Sequence, residues 1–515
     1  MFLTLIDYIV VFLYLAVIAA IGLTISLRGQ KTTSKYFVAD KQIPTWAVAF
    51  TLMATLISSN TLVAHPAIVF KSSMILVPGF LLIPFVLVFV AIVVVPFYRR
   101  VIGMSAYEYI GKRFGLGGRI FTSFGFILDR TFDIGVTLVT TGIVVSVMTG
   151  WDIRWVLVGV GLFTIVYTCI GGIQAVVWTD VAQGIVLIGG GLLILSILLF
   201  SPEAGPPGAV VAEAWRAGKF SFGNPELSWQ SLFNQEERTV WMFLAAMGIL
   251  WTRRYVCDQN MVQRYLIAKT DAEARKGTLI GAALSVPILL GFNLIGACLY
   301  GFYALTDAQP PEIVDYLLPY FVLEFLPAGI VGLLVAAILA ASMSSLSSDL
   351  NSIATVLTRD YFQRFLPNLA DSVHLKIGRL MVLVSGSISV VIGLIIAPTE
   401  ISEPLATKAL TIATIITTGT LGLFALGFLS RKATRTGCYT GIACTLLFMS
   451  WALLSSSGHP WFDWFPIRYT MNTILIGIFG QFVMFGTGWI ASVFLGGYRP
   501  EDIDSLIYKR SREAS

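Results

Sequence analysis

Charge is scarce in this chain. Lys, Arg, Asp and Glu make up 12% of its 515 residues against 56% hydrophobic residues, and the mean hydropathy is +0.82. A water-exposed surface on a protein of this size needs far more charge, so a soluble enzyme or binding module is excluded. Histidine is scarcer still: His65, His374 and His459 are too scattered to predict a site. Five cysteines (Cys169, Cys257, Cys298, Cys438 and Cys444), an odd number without metal-ligand spacing, exclude a disulfide framework and a zinc centre. No phosphate-binding glycine loop, nucleophile elbow or HExxH motif occurs. An ATP-driven pump and a membrane hydrolase therefore have no support, and no organic cofactor is expected.

What the chain has instead is apolar runs of about 20 residues, each long enough to cross a hydrocarbon core of roughly 30 Å as a helix. They predict an all-α polytopic membrane protein of about 13 spans, near 5–27, 44–70, 74–97, 120–149, 154–172, 179–200, 238–257, 277–304, 319–357, 376–397, 406–429, 436–455 and 470–495. The start, MFLTLIDYIV, lacks the basic stretch of a cleaved signal, so the first run is expected to stay as a helix. Charge placement orients the spans. With the N-terminus outside and the C-terminus cytoplasmic, the inner loops hold most basic residues, among them Arg99, Arg100, Lys112, Arg113 and Arg119. The outer loops keep Lys71, Arg154, Arg216, Lys219, Arg238, Lys408 and Arg468, as the positive-inside rule requires. The net charge of +5 thus reflects topology and not nucleic-acid binding. A plasma membrane, the inner one in a bacterium, is the expected location.

The longest connection, 201–237, opens Pro/Gly-rich and divides the middle of the chain into two blocks of five spans, 44–200 and 238–435. A leading helix with its loop (1–43) precedes them, and trailing helices with a short tail (436–515) follow. An odd number of spans per block inverts the second block relative to the first, a pattern of secondary transporters that hold solute and ions at interrupted helices.

Between Ala341 and Ser352 the chain reads ASMSSLSSDLNS inside an apolar segment. On a helix, Ala341, Ser344, Ser345, Ser348 and Ser352 fall within roughly 100° of arc. An unpartnered hydroxyl in an apolar medium costs roughly 2–7 kcal/mol, so this face requires a packed helix or a desolvated cation. Sodium is a hard cation that takes oxygen ligands. Ser344 and Ser345 can offer side-chain oxygens, and Ala54, Ile57 and Ala341 main-chain ones. The second span supplies those of Ala54 and Ile57 through an interruption predicted at ATLISSNT, with Pro66 beyond it freeing carbonyls upstream. Asp180, expected at the cytoplasmic start of a span, reads either as an acid favoured by the helix dipole or as an anionic ligand for a cation.

Four separated motifs resemble the sodium:solute symporter family, in order from about residue 5 to 435: SAYEYIGKRFG (Ser105–Gly115), GGIQAVVWTDVAQ (Gly171–Gln183), DQNMVQRYLIAKT (Asp258–Thr270) and AAILAASMSSLSSDLNS (Ala336–Ser352). The resemblance implies a 5+5 inverted-repeat core of the leucine-transporter type. It also implies inward transport of a small solute driven by sodium, by a protein that works as a monomer in the bilayer. Carried over by position, the main sodium site is Ala54, Ile57, Ala341, Ser344 and Ser345. Family members with an additional sodium hold it at positions matched here by Asp180, Ser344, Ser347 and Ser348.

The solute positions follow no single pattern. Sugar-transporting members have asparagine where this chain has Leu56 and a tyrosine where it has Arg254; proline-transporting members have aspartate at Leu56. Sialic-acid members share the ISSNT stretch, but the arginine they use for the carboxylate aligns with Asp133. The candidate solute contacts are Ser58, Asn60, Thr61, Asp133 and Arg254, which favour a sugar or sialic-acid-like solute. Asp133 either pairs with Arg130 or Arg254 as structure or grips a zwitterionic or polyhydroxylated solute. Arg253 is expected to face cytoplasmic headgroups. Two rivals to sodium symport are weighed: proton coupling through Asp133 or Asp180, and a solute sensor, for which about 20 residues after the last span are too few to carry a signalling domain.

Overall fold

The computed structural model describes residues 2–27, 31–226, 239–397, 412–456 and 468–507. The side chain of Asn60 lies outside the described residues, as do the end of the outer loop, the start of the segment expected near 406–429 and the tail from 508. Helix is the only regular element among the described residues, apart from an isolated bridge between Ile43 and Ala268. Lipid offers backbone groups no partner, and an α-helix satisfies them within one segment.

In chain order the principal helices are α1 (Leu5–Leu27), α2 (Thr45–Leu56), α3 (Ser59–Lys71), α4 (Val77–Val101), α5 (Tyr107–Phe114), α6 (Leu116–Thr149) and α7 (Ile153–Leu199). They continue with α8 (Val240–Cys257), α9 (Gln259–Leu266), α10 (Asp271–Leu305), α11 (Ile330–Val356), α12 (Asp371–Ile396), α13 (Thr420–Leu429), α14 (Arg435–Ser456) and α15 (Ile474–Phe494). Nine helices among the described residues are long and apolar enough to cross a membrane, or ten if the bent pair α2–α3 is one span.

Two breaks shape the interior. At 47 residues α7 would run about 70 Å if straight, more than twice a bilayer core. It breaks at Gly172, where φ is 58° and ψ −159°. A Cβ there would lie 2.7 Å from the Tyr36 carbonyl oxygen, so glycine is required by backbone and space alike. Helical geometry resumes at Ile173, which leaves Asp180 about two turns inside a continuous helix. The expectation that Asp180 begins a span is therefore corrected, and a helix-end role with it.

The second break separates α2 from α3. Ile57 (φ −101°, ψ 108°) and Ser58 (φ −105°, ψ 177°) are extended, and the two axes bend by 51°. Pro66 is not at the break; it sits within α3, so the interruption is set by the polar residues themselves. Ser59 accepts a hydrogen bond from Thr141 Oγ1 of α6 at 3.0 Å and donates to the Thr137 carbonyl at 3.3 Å. Thr141 Oγ1 also lies 2.7 Å from Ser342 Oγ of α11, tying three helices together beside the break.

α11 lies at the centre. From Val331 to Val356 every residue except Leu333 is buried, and a π-helical turn, Leu357–Phe362, continues it. Asp7 of α1 caps its entry, Oδ1 accepting the N–H groups of Gly329 and Gly332. Beyond its far end, the short helix α5 lies outside the spans, docked through Glu108. That carboxylate accepts the backbone N–H groups of Met104 (3.0 Å) and Ser105 (3.1 Å) and the Arg359 guanidinium (2.9 Å). Arg119 pairs with Asp360 next to it, and Ser105 donates to the same Asp360 at 2.6 Å.

Candidate sodium and solute sites

The interrupted backbone of α2–α3 meets the serine face of α11. Ser344 Oγ lies 3.1 Å from the Ala54 carbonyl oxygen and 3.1 Å from that of Ala341, and Ser345 Oγ lies 3.4 Å from the Ile57 oxygen. The five groups predicted for the main site thus meet across the break in two sets, Ser344 with the Ala54 and Ala341 oxygens and Ser345 with that of Ile57. Ending α2 at Leu56 removes Ala54 and Ile57 from the regular ladder, so their lone pairs are available. An all-oxygen set of this kind suits a hard monovalent cation.

Asp180 of α7 lies alongside, fully buried. Its Oδ2 accepts the Thr51 hydroxyl at 2.5 Å and that of Ser348 at 3.4 Å, while Oδ1 is buried without a hydrogen-bond partner. Ser348 shares its hydroxyl with Thr55 at 3.0 Å, and Ser347 donates to the Ser344 carbonyl at 3.2 Å. The predicted additional set is therefore contiguous with the main one. A cation that is no member of that set reaches it. Arg264 of α9 is wholly buried, 3.7 Å from Asp180 Oδ2, and donates to Ser348 at 2.5 Å.

Beside Ser345 opens a cavity of about 210 Å³. Ser58, Thr61, Asp133 and Arg254, four of the five predicted solute contacts, line it, together with His65, Phe80, Trp251 and Arg130. The His65 ring stacks on Phe80 with centroids 5.2 Å apart, and its Nδ1 is buried without a partner. Scatter in sequence concealed this histidine; its position one turn past the broken segment was the signal that it faces the same cavity.

Charges crowd the cavity floor. Arg130 donates to Asp129 at 2.6 Å and Asp133 at 2.9 Å and lies 3.7 Å from Asp349. Asn260 donates to the other oxygen of Asp349 at 2.8 Å. Arg253 is buried and pairs with Asp258 at 2.8 Å and Asp129 at 3.6 Å, which corrects the expectation that it faces headgroups. These two acids hold it inward, and a buried guanidinium needs such partners. Of the two pairings weighed for Asp133, the structure has the one with Arg130.

The family model for the sodium:solute symporter family matches residues 36–444. This chain belongs to that family. Sodium-coupled transport of a solute is accordingly its function, and it is a multi-pass membrane transporter and not an enzyme. A sodium/sialic acid symporter, NanT of Aliivibrio fischeri, is 28% identical to this symporter over 515 residues, 99% of this chain and 97% of its own length. A solved structure of a Na+-coupled sialic acid symporter, substrate-bound and outward-open and reported to reveal a novel Na+ site, matches with a TM-score of 0.84 at 27% identity, over 95% of this chain and 98% of that one. Mhp1, a nucleobase-cation-symport-1 family transporter, matches with a TM-score of 0.56 at 16% identity over 93% of this chain and 98% of its own, a likeness of fold alone. The predicted fold class, all-α and of the leucine-transporter type, is the fold these transporters share.

Proposed function

We propose that this symporter imports a small polar organic solute, sugar or sialic-acid-like, by alternating access. Sodium binds Ala54, Ile57, Ala341, Ser344 and Ser345, fixes the broken second span against α11, and so completes the solute cavity beside Ser345. Asp180, Ser347 and Ser348, with Ser344, hold an additional sodium. Ser58, Asn60, Thr61, Asp133 and Arg254 contact the solute. The convergence of main-chain and hydroxyl oxygens at the α2–α3 break carries this reading, and the similarity to sialic acid symporters supports the solute class.

The same reading takes the spans as thirteen, with α7 counted as two and α8 and α13 included. The inverted repeats are 44–200 and 238–435, the loop 201–237 and the N-terminus lie outside, and the C-terminus is cytoplasmic. The protein acts as a monomer in a plasma membrane. Inward movement of one charge gains about 2.3 kcal/mol per 100 mV, and a second sodium doubles that electrical contribution. Uptake by proteoliposomes at fixed pH, with an inward sodium gradient against an equal potassium gradient, tests the coupling. Accumulation is expected with sodium only, and equal uptake with potassium would contradict it.

A further inference from the structure

Three arginines reach the cavity, and two of them are already matched. Arg130 is engaged by Asp129 and Asp133 with Asp349 behind them, and Arg253 by Asp258 and Asp129. Arg254 differs. Among the described residues no carboxylate lies within 4 Å of it, no hydrogen bond engages its guanidinium, and its Nε is buried without a partner. Half-buried and lining a cavity walled by Phe80, Phe243, Met247 and Trp251, this guanidinium is placed to receive an anionic group from outside the protein. Its planar fork of donors fits a carboxylate through two parallel hydrogen bonds.

We propose that Arg254 is the anion clamp of the solute site and that the transported solute carries a carboxylate. This rests on the sodium-symport reading above and narrows its solute class, excluding neutral sugars. Asp133 supplies the second specificity. One of its oxygens is held by Arg130, yet the side chain keeps 30% of its surface exposed in the cavity, so it accepts from an ammonium or hydroxyl of the same solute. His65 Nδ1, Ser58 and Thr61 meet the remaining polar groups.

The test uses the purified full-length protein and paired probes: N-acetylneuraminate against its methyl ester, glucuronate against glucose, and alanine against alaninamide. Thermal stabilisation is measured in sodium and in potassium. At least one acid should stabilise more in sodium than in potassium while its neutral partner does not. R254Q should weaken binding of that acid on the order of 10–100-fold, the loss of a charge-assisted hydrogen-bond pair, while R254K retains part of it. Both variants should keep the stabilisation that sodium alone gives, which shows that they fold. Equal stabilisation by a neutral partner, an acid shift unchanged in R254Q, or no acid giving a sodium-dependent shift would each overturn the clamp. If sodium alone also fails to stabilise the unsubstituted protein, the symport reading falls with it; if sodium stabilises and only the acid preference is missing, that reading stands.

Discussion

The carboxylate of Asp7 accepts the backbone N–H of Gly332 at 2.8 Å across 325 positions of sequence, and that of Gly329 at 2.7 Å. These donors belong to the entry of α11, where a helix has N–H groups without partners of its own. The other Asp7 oxygen accepts from Thr4, so the acid is locked in place. A Cβ on Gly332 would lie 2.6 Å from Asp7 Cα, so the two helices touch backbone to backbone. Replacing Asp7 by Ala strands two buried donors and should destabilise the fold by about 1–3 kcal/mol per unmatched group. A lowered melting temperature with unchanged sodium affinity in the surviving protein is the expected observation.

Substituting both Ser344 and Ser345 by Ala removes the two hydroxyl oxygens facing Ala54 and Ile57 and leaves main-chain ligands alone. Sodium-driven uptake should be abolished and the thermal stabilisation by sodium lost. Ser385→Ala serves as the control, because that hydroxyl returns to the Met381 carbonyl on its own helix, α12. Full uptake by the double variant would remove these serines from the ion site.

Asp180 faces Arg264 at 3.7 Å, and neither is exposed. Asp180→Asn alone should lower the sodium Hill coefficient or affinity, but it also leaves a buried guanidinium without its acid. Pairing it with Arg264→Gln separates the two effects. The double variant should regain thermal stability and still lack the second sodium. Recovery of a normal Hill coefficient would instead make Asp180 the arginine's partner only.

Much of this architecture was legible in residue order, for identifiable reasons. Charge asymmetry and hydrophobic run length govern spans, and a hydroxyl row repeating with the helix period identified Ser344, Ser345 and Ser348 as one face. The break at Ile57–Ser58 was legible because polar residues interrupted an apolar run. What was not legible depended on distant partners. Arg264 has its counterion Asp180 far off in sequence, where nothing local reveals it, and Arg253, though close in sequence to Asp258, has its second acid in Asp129 of α6. His65 was passed over since one histidine has no spacing to judge. A span beginning near 179 puts Asp180 at its opening, whereas Gly172 tolerates its unusual φ and lets the helix start earlier.

Outside the spans, Glu108 offers a pH handle. Burial raises its carboxyl, but Arg359 and the N–H groups of Ser105 and Met104 outweigh that and hold it below its ordinary value of 4.5. Because the folded value lies below the unfolded one, the contribution is fully present above about pH 4.5 and is lost as pH falls through the folded value. Acidification should therefore lower the melting temperature of the unsubstituted protein more than that of Glu108→Gln, which starts lower at neutral pH. Parallel curves for the two proteins would deny Glu108 this role.

The enclosure of α11 sets what the surrounding bilayer can influence. In its apolar stretch 89% of residues are buried, against 22% in α1 and 28% in α12. A thicker or thinner membrane loads the helices that touch acyl chains, which tilt or shift to match it. The helix bearing the serines is almost wholly enclosed, so mismatch reaches it only through its neighbours, α7 and α1 among them. Sodium affinity should therefore change little between bilayers of different thickness, the outer helices taking up the mismatch.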